Sequence, residues 1–351
     1  MTTLVSVLAL LAVPGSALGA RAQRISDSNL AYPAAFTLTP TGDRILYGER
    51  LTGRIGWLNP STGGHVQLFK IPGLSVSGEQ GVLGLALSPD YPRDGRVWAY
   101  ATRTVSGSVE GQLLRIRADG RGFKVLRSFP AAHNHNGGHI AFGPDGRLYV
   151  VVGDNTDERN AQNLGVLAGK MLRLNPDGTV PSDNPNPASP VLAYGIRNSF
   201  GFTFDPQNGR LWETENGPSC NDEINLIPRS KLTNFGWGPS QTCDSPPAPP
   251  ANTNRDGPSP HLPKLFFSVP PALTGAAFCT DCGLPSSSGQ LFFGAYNTGT
   301  IHRAKLNPAR TGIVHEGGFY DHTASVLSVE TPLKGGPIYF STPKNIYRLR
   351  P

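Results

Sequence analysis

Ile140-Ala141-Phe142-Gly143-Pro144-Asp145-Gly146-Arg147-Leu148-Tyr149-Val150 decides the fold. Apolar side chains alternate on both sides of a Pro-Asp-Gly turn, so two short strands of period two meet at a tight reversal. The same grammar recurs along the chain. Ala35 to Leu38 passes through Pro40-Thr41-Gly42 to Ile45-Leu46-Tyr47, and Gly84 to Leu87 passes through Pro89-Asp90 and Gly95 to Val97-Trp98-Ala99-Tyr100. Gly201 to Phe204 passes through Asp205-Pro206 and Asn208-Gly209 to Leu211-Trp212. Gly289 to Phe293 and Gly336 to Phe340 are more worn copies.

Each copy is followed by a further alternating stretch, such as Gln112–Ile116, Lys170–Leu174 or Thr300–Ala304. Six such units of roughly 45 to 60 residues match the blade of a β-propeller, whose radial closure removes long exposed sheet edges. The expected fold is therefore all-β, a single six-bladed propeller over residues 21–351. Glycine at 42 and proline at 33 of 351 residues fit a chain with many tight turns.

The formal charge of +6 is mild for this length and no dense Lys/Arg block occurs, which argues against nucleic acid as a partner. Leu4 to Val13 is a short apolar run ending in Pro14-Gly15-Ser16-Ala17-Leu18-Gly19-Ala20. It is too short to span a bilayer and suits the core of a signal peptide over residues 1–20, although Met1-Thr2-Thr3 brings no basic residue. Secretion, or export to a periplasm, is the expectation, with no membrane span elsewhere. A buried first strand is the competing reading of that run.

Export permits disulfides among Cys220, Cys243, Cys279 and Cys282, with three pairings open. Cys279-Thr280-Asp281-Cys282 precedes a Gly-Leu-Pro-Ser loop rather than a helix, so a structural loop closure is expected there rather than redox chemistry. A zinc site from all four thiols would lack knuckle spacing at Cys220 and Cys243.

Three clusters carry candidate chemistry. His133, His135 and His139 could be three zinc ligands, plain turn histidines, or the setting for one general base, His135, on a Gly-Gly loop at the channel mouth. Arg197-Asn198 offers a planar cation and an amide. Glu213 to Pro218 with Asn221 to Leu226 reads as a calcium loop or as an ordinary acidic turn, and Asn234-Phe235-Gly236-Trp237 follows it closely.

Together these motifs resemble the soluble quinoprotein sugar dehydrogenases, the glucose/sorbosone dehydrogenase group that uses pyrroloquinoline quinone (PQQ). The resemblance runs from about Leu30 to Leu349. It rests on Glu79-Gln80-Gly81-Val82-Leu83-Gly84, His135-Asn136-Gly137-Gly138, Gly169-Lys170-Met171-Leu172-Arg173-Leu174, Arg197-Asn198, Glu215-Asn216-Gly217-Pro218 and Asp222-Glu223-Ile224-Asn225-Leu226, in the family's order. It implies a six-bladed propeller that oxidises an aldose or related alcohol, transferring hydride to PQQ. His135 would be the general base and Arg197 would stabilise charge on the quinone oxygen. Gln80, Asn155, Asn198 and Asn297 would line the cofactor or sugar pocket. The carbonyls of Gly217 and Pro218 would hold a calcium ion acting as Lewis acid, and Glu223 with the Phe235 carbonyl would hold a second, structural calcium.

Partners would be a sugar and an electron acceptor, with the protein a monomer or homodimer. The chain departs from the family where a lysine is expected, at Asn297, and where an Arg-x-Arg pair is expected, along Ala324–Val329. Those cations would neutralise the PQQ carboxylates. Two further readings therefore stand beside the first: a propeller that has lost PQQ and only binds carbohydrate or protein, and a calcium-dependent hydrolase or lactonase.

Overall fold

A computed structural model describes residues 20–241, 243 and 254–351, so the expected signal peptide lies, apart from Ala20, outside the described residues. Among the described residues six sheets, antiparallel but for one added strand, follow one another around a ring. Blade 1 comprises Ala35–Leu38, Ile45–Gly48, Arg54–Leu58 and His65–Lys70. Blade 2 comprises Val82–Leu87, Arg96–Val105, Ser108–Arg117 and Lys124–Pro130. Blade 3 runs through Ile140–Phe142, Leu148–Val152, Lys170–Leu174 and Val191–Tyr194, with Thr233–Asn234 added parallel to the last.

Blade 4 takes Ser199–Phe204, Leu211–Glu215, Asp222–Ile227 and Leu265–Phe267. Blade 5 takes Leu273–Phe278, Leu291–Ala295, Thr300–Leu306 and Ile313–Asp321. Blade 6 is built from Ser328–Glu330, Tyr339–Ser341 and Ile346–Arg350, and its outer strand, Arg21–Arg24, comes from the other end of the chain. There Arg21 pairs with Arg350 and Arg24 with Tyr347, which closes the ring.

The repeated sequence unit is the first hairpin of each blade, the inner strand and its neighbour. In blade 3, Ile140 faces Val150 and Phe142 faces Leu148 across the Pro-Asp-Gly turn. Gly146 there has φ +70°, the left-handed conformation that glycine adopts without a Cβ penalty.

Six buried clusters sit one at each interface between neighbouring blades. Trp98, Tyr100 and Leu113 of blade 2 meet Ile140, Val150 and Leu172 of blade 3. Trp212 and Ile224 of blade 4 meet Phe278, Leu291 and Phe293 of blade 5. The remaining junctions repeat the scheme. Each large side chain buried this way contributes about 1.5–3 kcal/mol, so the ring is held by its radial joints.

Two cavities occupy opposite mouths of the central channel. One, of about 590 Å³, is lined by the hairpin-turn prolines Pro40, Pro89, Pro144 and Pro206 together with Glu330. The other, of about 480 Å³, gathers the loops that enter the inner strands. The signal that reveals the fold and the residues that carry chemistry therefore lie at different ends.

Candidate active site

His135 reaches the 480 Å³ cavity from the loop before the inner strand of blade 3. Its backbone has φ +55°, and Gly137 and Gly138 follow at +59° and +96°. A Cβ on Gly138 would lie 2.5 Å from Leu83 Cβ, and one on Gly137 would lie 2.8 Å from the Val151 carbonyl oxygen. The glycine pair thus lets the loop fold tightly over the strand and turn His135 inward.

His135 Nδ1 lies 2.7 Å from Asp154 Oδ1, whose residue is almost fully buried. A carboxylate only accepts, so this contact places the proton on Nδ1 and leaves Nε2 as the ring nitrogen able to take one. Asp154 is itself held: Thr156 N donates to Oδ1 at 2.8 Å and Trp237 Nε1 donates to Oδ2 at 2.8 Å. Behind it, Asn160 Nδ2 donates to the Asp154 carbonyl, and Gln162 Nε2 donates to the Trp237 carbonyl.

Both anchors belong to the short helix Glu158–Gln162 and its flank. Lys170 Nζ pins that helix by donating to the carbonyls of Asn160, Ala161 and Ala168 at 2.6–3.1 Å. Burial pushes the Lys170 ammonium down to about 7, while its three carbonyl partners favour the charged form.

Glu79 joins the two motif clusters. Its Oε2 accepts from His135 N at 2.7 Å and from Asn198 Nδ2 at 3.1 Å. Arg197 lines the same wall, with Nη1 donating to the Asn216 carbonyl and its guanidinium carbon 5.3 Å from the Trp237 ring centroid. Burial lowers its pKa, which the surrounding carboxylates partly offset. Arg197 N donates to Glu215 Oε1, fixing the Arg197-Asn198 corner to blade 4.

Gly217, Pro218 and Asp222 complete that side, where Asp222 accepts from Gly217 N at 2.9 Å and Leu273 N at 3.1 Å. Tyr32, Arg50, Tyr296 and Asn297 line the cavity as well.

The structure brings His135, Arg197, Asn198, Asn297, Gly217 and Pro218 to one cavity. It places Gln80 and Asn155 beside that cavity rather than on its wall. Gln80 Nε2 donates to the Ala132 carbonyl and its Oε1 accepts from Ser75 and Ser77. Asn155 N and Nδ2 both donate to the His135 carbonyl, bracing the histidine loop from behind.

Glu223 is buried in blade 4, across the strand pair from Glu215. Phe235 sits in the core between blades 3 and 4, just after Thr233–Asn234. Glu213, Glu215 and Glu223 all accept from Asn225 Nδ2, and burial raises Glu213 to about 7 and Glu215 well above the usual carboxylate range. Among the described residues no group of three or more His, Cys, Asp or Glu side chains is arranged to hold a metal ion.

The three-histidine reading fails on geometry. His133 Nδ1 contacts Ser77 Oγ, while His139 is half-buried edge-on against Phe202 and opens to the other channel mouth. The four-thiol reading fails as well, because the cysteines pair as Cys220–Cys243 and Cys279–Cys282. His322 and Lys334 do not line the cavity: His322 packs on Phe340 and Tyr347, and Lys334 N donates to Pro40 O at the far mouth.

Asp154, Glu79, Arg50 and the two tyrosines are the site residues that motif reading does not assign. For Asp154 a signal existed, in Gly153-Asp154 directly after the strand that follows the histidine loop.

A model of the glucose/sorbosone dehydrogenase family matches residues 30–348. Aldose sugar dehydrogenase YliI of Escherichia coli (strain K12) is 29% identical over 291 residues, covering 77% of this chain and 76% of that protein. Quinoprotein glucose dehydrogenase B of Acinetobacter calcoaceticus is 30% identical over 251 residues, covering 61% of this chain and 52% of that protein. The solved structure of the PQQ-bound aldose sugar dehydrogenase from Streptomyces coelicolor superposes with a TM-score of 0.80 at 27% identity, covering 96% of this chain and 99% of that one.

Proposed function

Since the chain belongs to the glucose/sorbosone dehydrogenase family, we propose that it is an exported quinoprotein that oxidises an aldose or related alcohol in the 480 Å³ cavity. The observation that carries this reading is the chain Trp237–Asp154–His135, which ends beside Arg197 in one cavity.

The residues fit PQQ on the side of Arg197 and Asn198. Asn198 Oδ1 is buried with no hydrogen-bond partner among the described residues, and no carboxylate there lies within ion-pair distance of Arg197. When bound, PQQ supplies the acceptor for the hydride released from the sugar carbon. His135 Nε2 takes the proton of the sugar hydroxyl, and Asp154 stabilises the imidazolium so formed through the proton on Nδ1. Arg197 sets a fixed positive charge on the wall where negative charge develops during oxidation.

Gly217 and Pro218 would offer carbonyl oxygens to calcium, since the bond from Gly217 N to Asp222 fixes their turn. Glu223 and the Phe235 carbonyl would serve a second, structural calcium.

A non-catalytic binding propeller is the second reading, favoured by Asn297 standing on the cavity rim where a lysine is expected. The hydrolase reading is weaker, because both carboxylates on the cavity wall, Glu79 and Asp222, already accept bonds that hold the loops.

One experiment tests the choice: load the purified chain with PQQ and calcium and follow sugar-dependent dye reduction. Activity that His135→Ala abolishes, while cofactor absorbance stays, is the expected result. No spectral change and no turnover at high PQQ would overturn the quinoprotein reading.

A further inference from the structure

Two arginines of low exposure, Arg173 and Arg310, are held by carboxylates. Arg173 meets Asp145 at 3.0 Å and Asp183 at 2.8 Å, and Arg310 meets Asp205 at 2.5 Å. Arg50 differs. It lines the 480 Å³ cavity, yet no carboxylate among the described residues lies within ion-pair distance of it. Its Nη1 donates to the Gly78 carbonyl at 2.7 Å and the Gln80 carbonyl at 3.2 Å, which fixes the guanidinium plane. Its Nε is buried without a partner, and Nη2 has none among the described residues.

A strut for the 78–80 loop would need only Nη1. A guanidinium pre-set by two carbonyls, with nitrogen donors and a full charge to spare, is a receptor for a planar anion.

Its place in the cavity matters more. The guanidinium carbon sits 4.4 Å from the Tyr32 ring centroid, and Tyr32 Oη lies 3.3 Å from Tyr296 Oη. Tyr296 is the neighbour of Asn297, where the expected lysine is missing. Arg50 therefore brings a cation from blade 1 to the wall that blades 5 and 6 leave uncharged. We propose that Arg50 grips a carboxylate of the bound quinone cofactor in place of those cations, with Tyr32 and Tyr296 forming the flat wall beside it. This rests on the quinoprotein reading above.

The test is equilibrium titration of the full apo chain, in calcium, with PQQ and separately with a phenanthroline quinone that lacks carboxylates. Cofactor absorbance and tryptophan quenching report binding without turnover. Arg50→Gln is expected to weaken PQQ about ten- to a hundredfold, as for loss of one charge-assisted hydrogen bond, and to leave the carboxylate-free quinone unchanged. Arg50→Lys should recover part of the loss. The exposed Arg93→Gln controls for net charge.

Equal weakening of both ligands by Arg50→Gln would mean that Arg50 only props its loop, and would overturn the assignment. So would PQQ binding by Arg50→Gln as tight as wild type; in either case the quinoprotein reading would stand. If the unaltered chain binds the carboxylate-free quinone but not PQQ, the cavity refuses carboxylates and the assignment falls. If it binds neither, the cofactor reading falls and takes the assignment with it.

Discussion

Asp154→Asn changes one oxygen to an NH₂ group and leaves the shape of the side chain alone, yet it should silence the site. Wild-type Asp154 accepts at both oxygens: Oδ1 from His135 Nδ1 at 2.7 Å and Thr156 N at 2.8 Å, Oδ2 from Trp237 Nε1 at 2.8 Å. An asparagine has one acceptor to share among three donors. If its oxygen turns to Trp237, its NH₂ faces the Thr156 N–H and drives His135 into the tautomer that accepts at Nδ1 and carries its proton on Nε2. That tautomer cannot act as the base. If the oxygen turns to His135, the Trp237 indole N–H meets an NH₂ in a buried site.

Either arrangement leaves an unsatisfied buried donor, costing about 1–3 kcal/mol. The same exchange in the Ser-His-Asp template lowers turnover by about 10⁴. Turnover here should fall between about 10² and 10⁴, with KM nearly unchanged, because substrate binding does not use the Asp154 charge. The assay is steady-state dye reduction by PQQ- and calcium-loaded protein from neutral to mildly alkaline pH, with thermal melts and cofactor absorbance as controls. A tautomer defect is not rescued by raising pH. Turnover within a factor of about three of wild type would refute the relay. Recovery at alkaline pH would refute the tautomer argument.

Three further outcomes follow from the same geometry. Glu79→Ala should orphan His135 N–H and the Asn198 amide together, lowering turnover by about tenfold or more with limited loss of stability; hydrogen-exchange protection at His135 N reports the lost acceptor directly. Glu330, at the far channel mouth, is raised to about 8 by burial. Its folded state therefore keeps a proton that the unfolded state releases near pH 4.5, and stability should fall by up to about 1.4 kcal/mol per pH unit between about pH 4.5 and 8 from this group. Urea titrations of Glu330→Gln should lack that share of the slope, and an unchanged slope would show that the group is not protonated. Cys220→Ser opens a loop of 23 residues beside the Gly217-Pro218 turn and should cost about 3 kcal/mol by chain entropy, read as a lower melting temperature relative to the Cys279→Ser variant, whose loop spans only 3 residues.

The propeller was legible because each inner hairpin spells its own turn with Pro, Asp, Asn and Gly, and because its strands alternate. The closing strand Arg21–Arg24 was not. Arg-Ala-Gln-Arg has no alternation of its own, and its partner is at the far end of the chain. The motif clusters marked His135 and Arg197-Asn198 because their residue types are chemically distinctive. Asp154 went unassigned because its bond to His135 spans 19 positions, set by the loops at either end of a strand rather than by any local spacing. Glu79 and Gln80 show the limit most plainly. They are neighbours of similar shape, yet one reaches the cavity and the other fastens a loop. Arg50 could only be found in three dimensions, since nothing in Gly48-Glu49-Arg50 announces an uncompensated charge.

Blade 6 is stitched from segments far apart in the chain, with Gln23 and Arg348 bonded across 325 positions of sequence. During synthesis Arg21–Arg24 must wait, unpaired and outside any sheet, until Ile346–Arg350 has been made. Five blades can stack by local hairpins, but the sixth is a long-range event whose loop-closure entropy is met only when Ile346–Arg350 arrives. The ring thus depends on one late pairing: a chain cut short before Ile346 leaves Arg21–Arg24 as a free edge, and the ring, with the cavity at its axis, remains open.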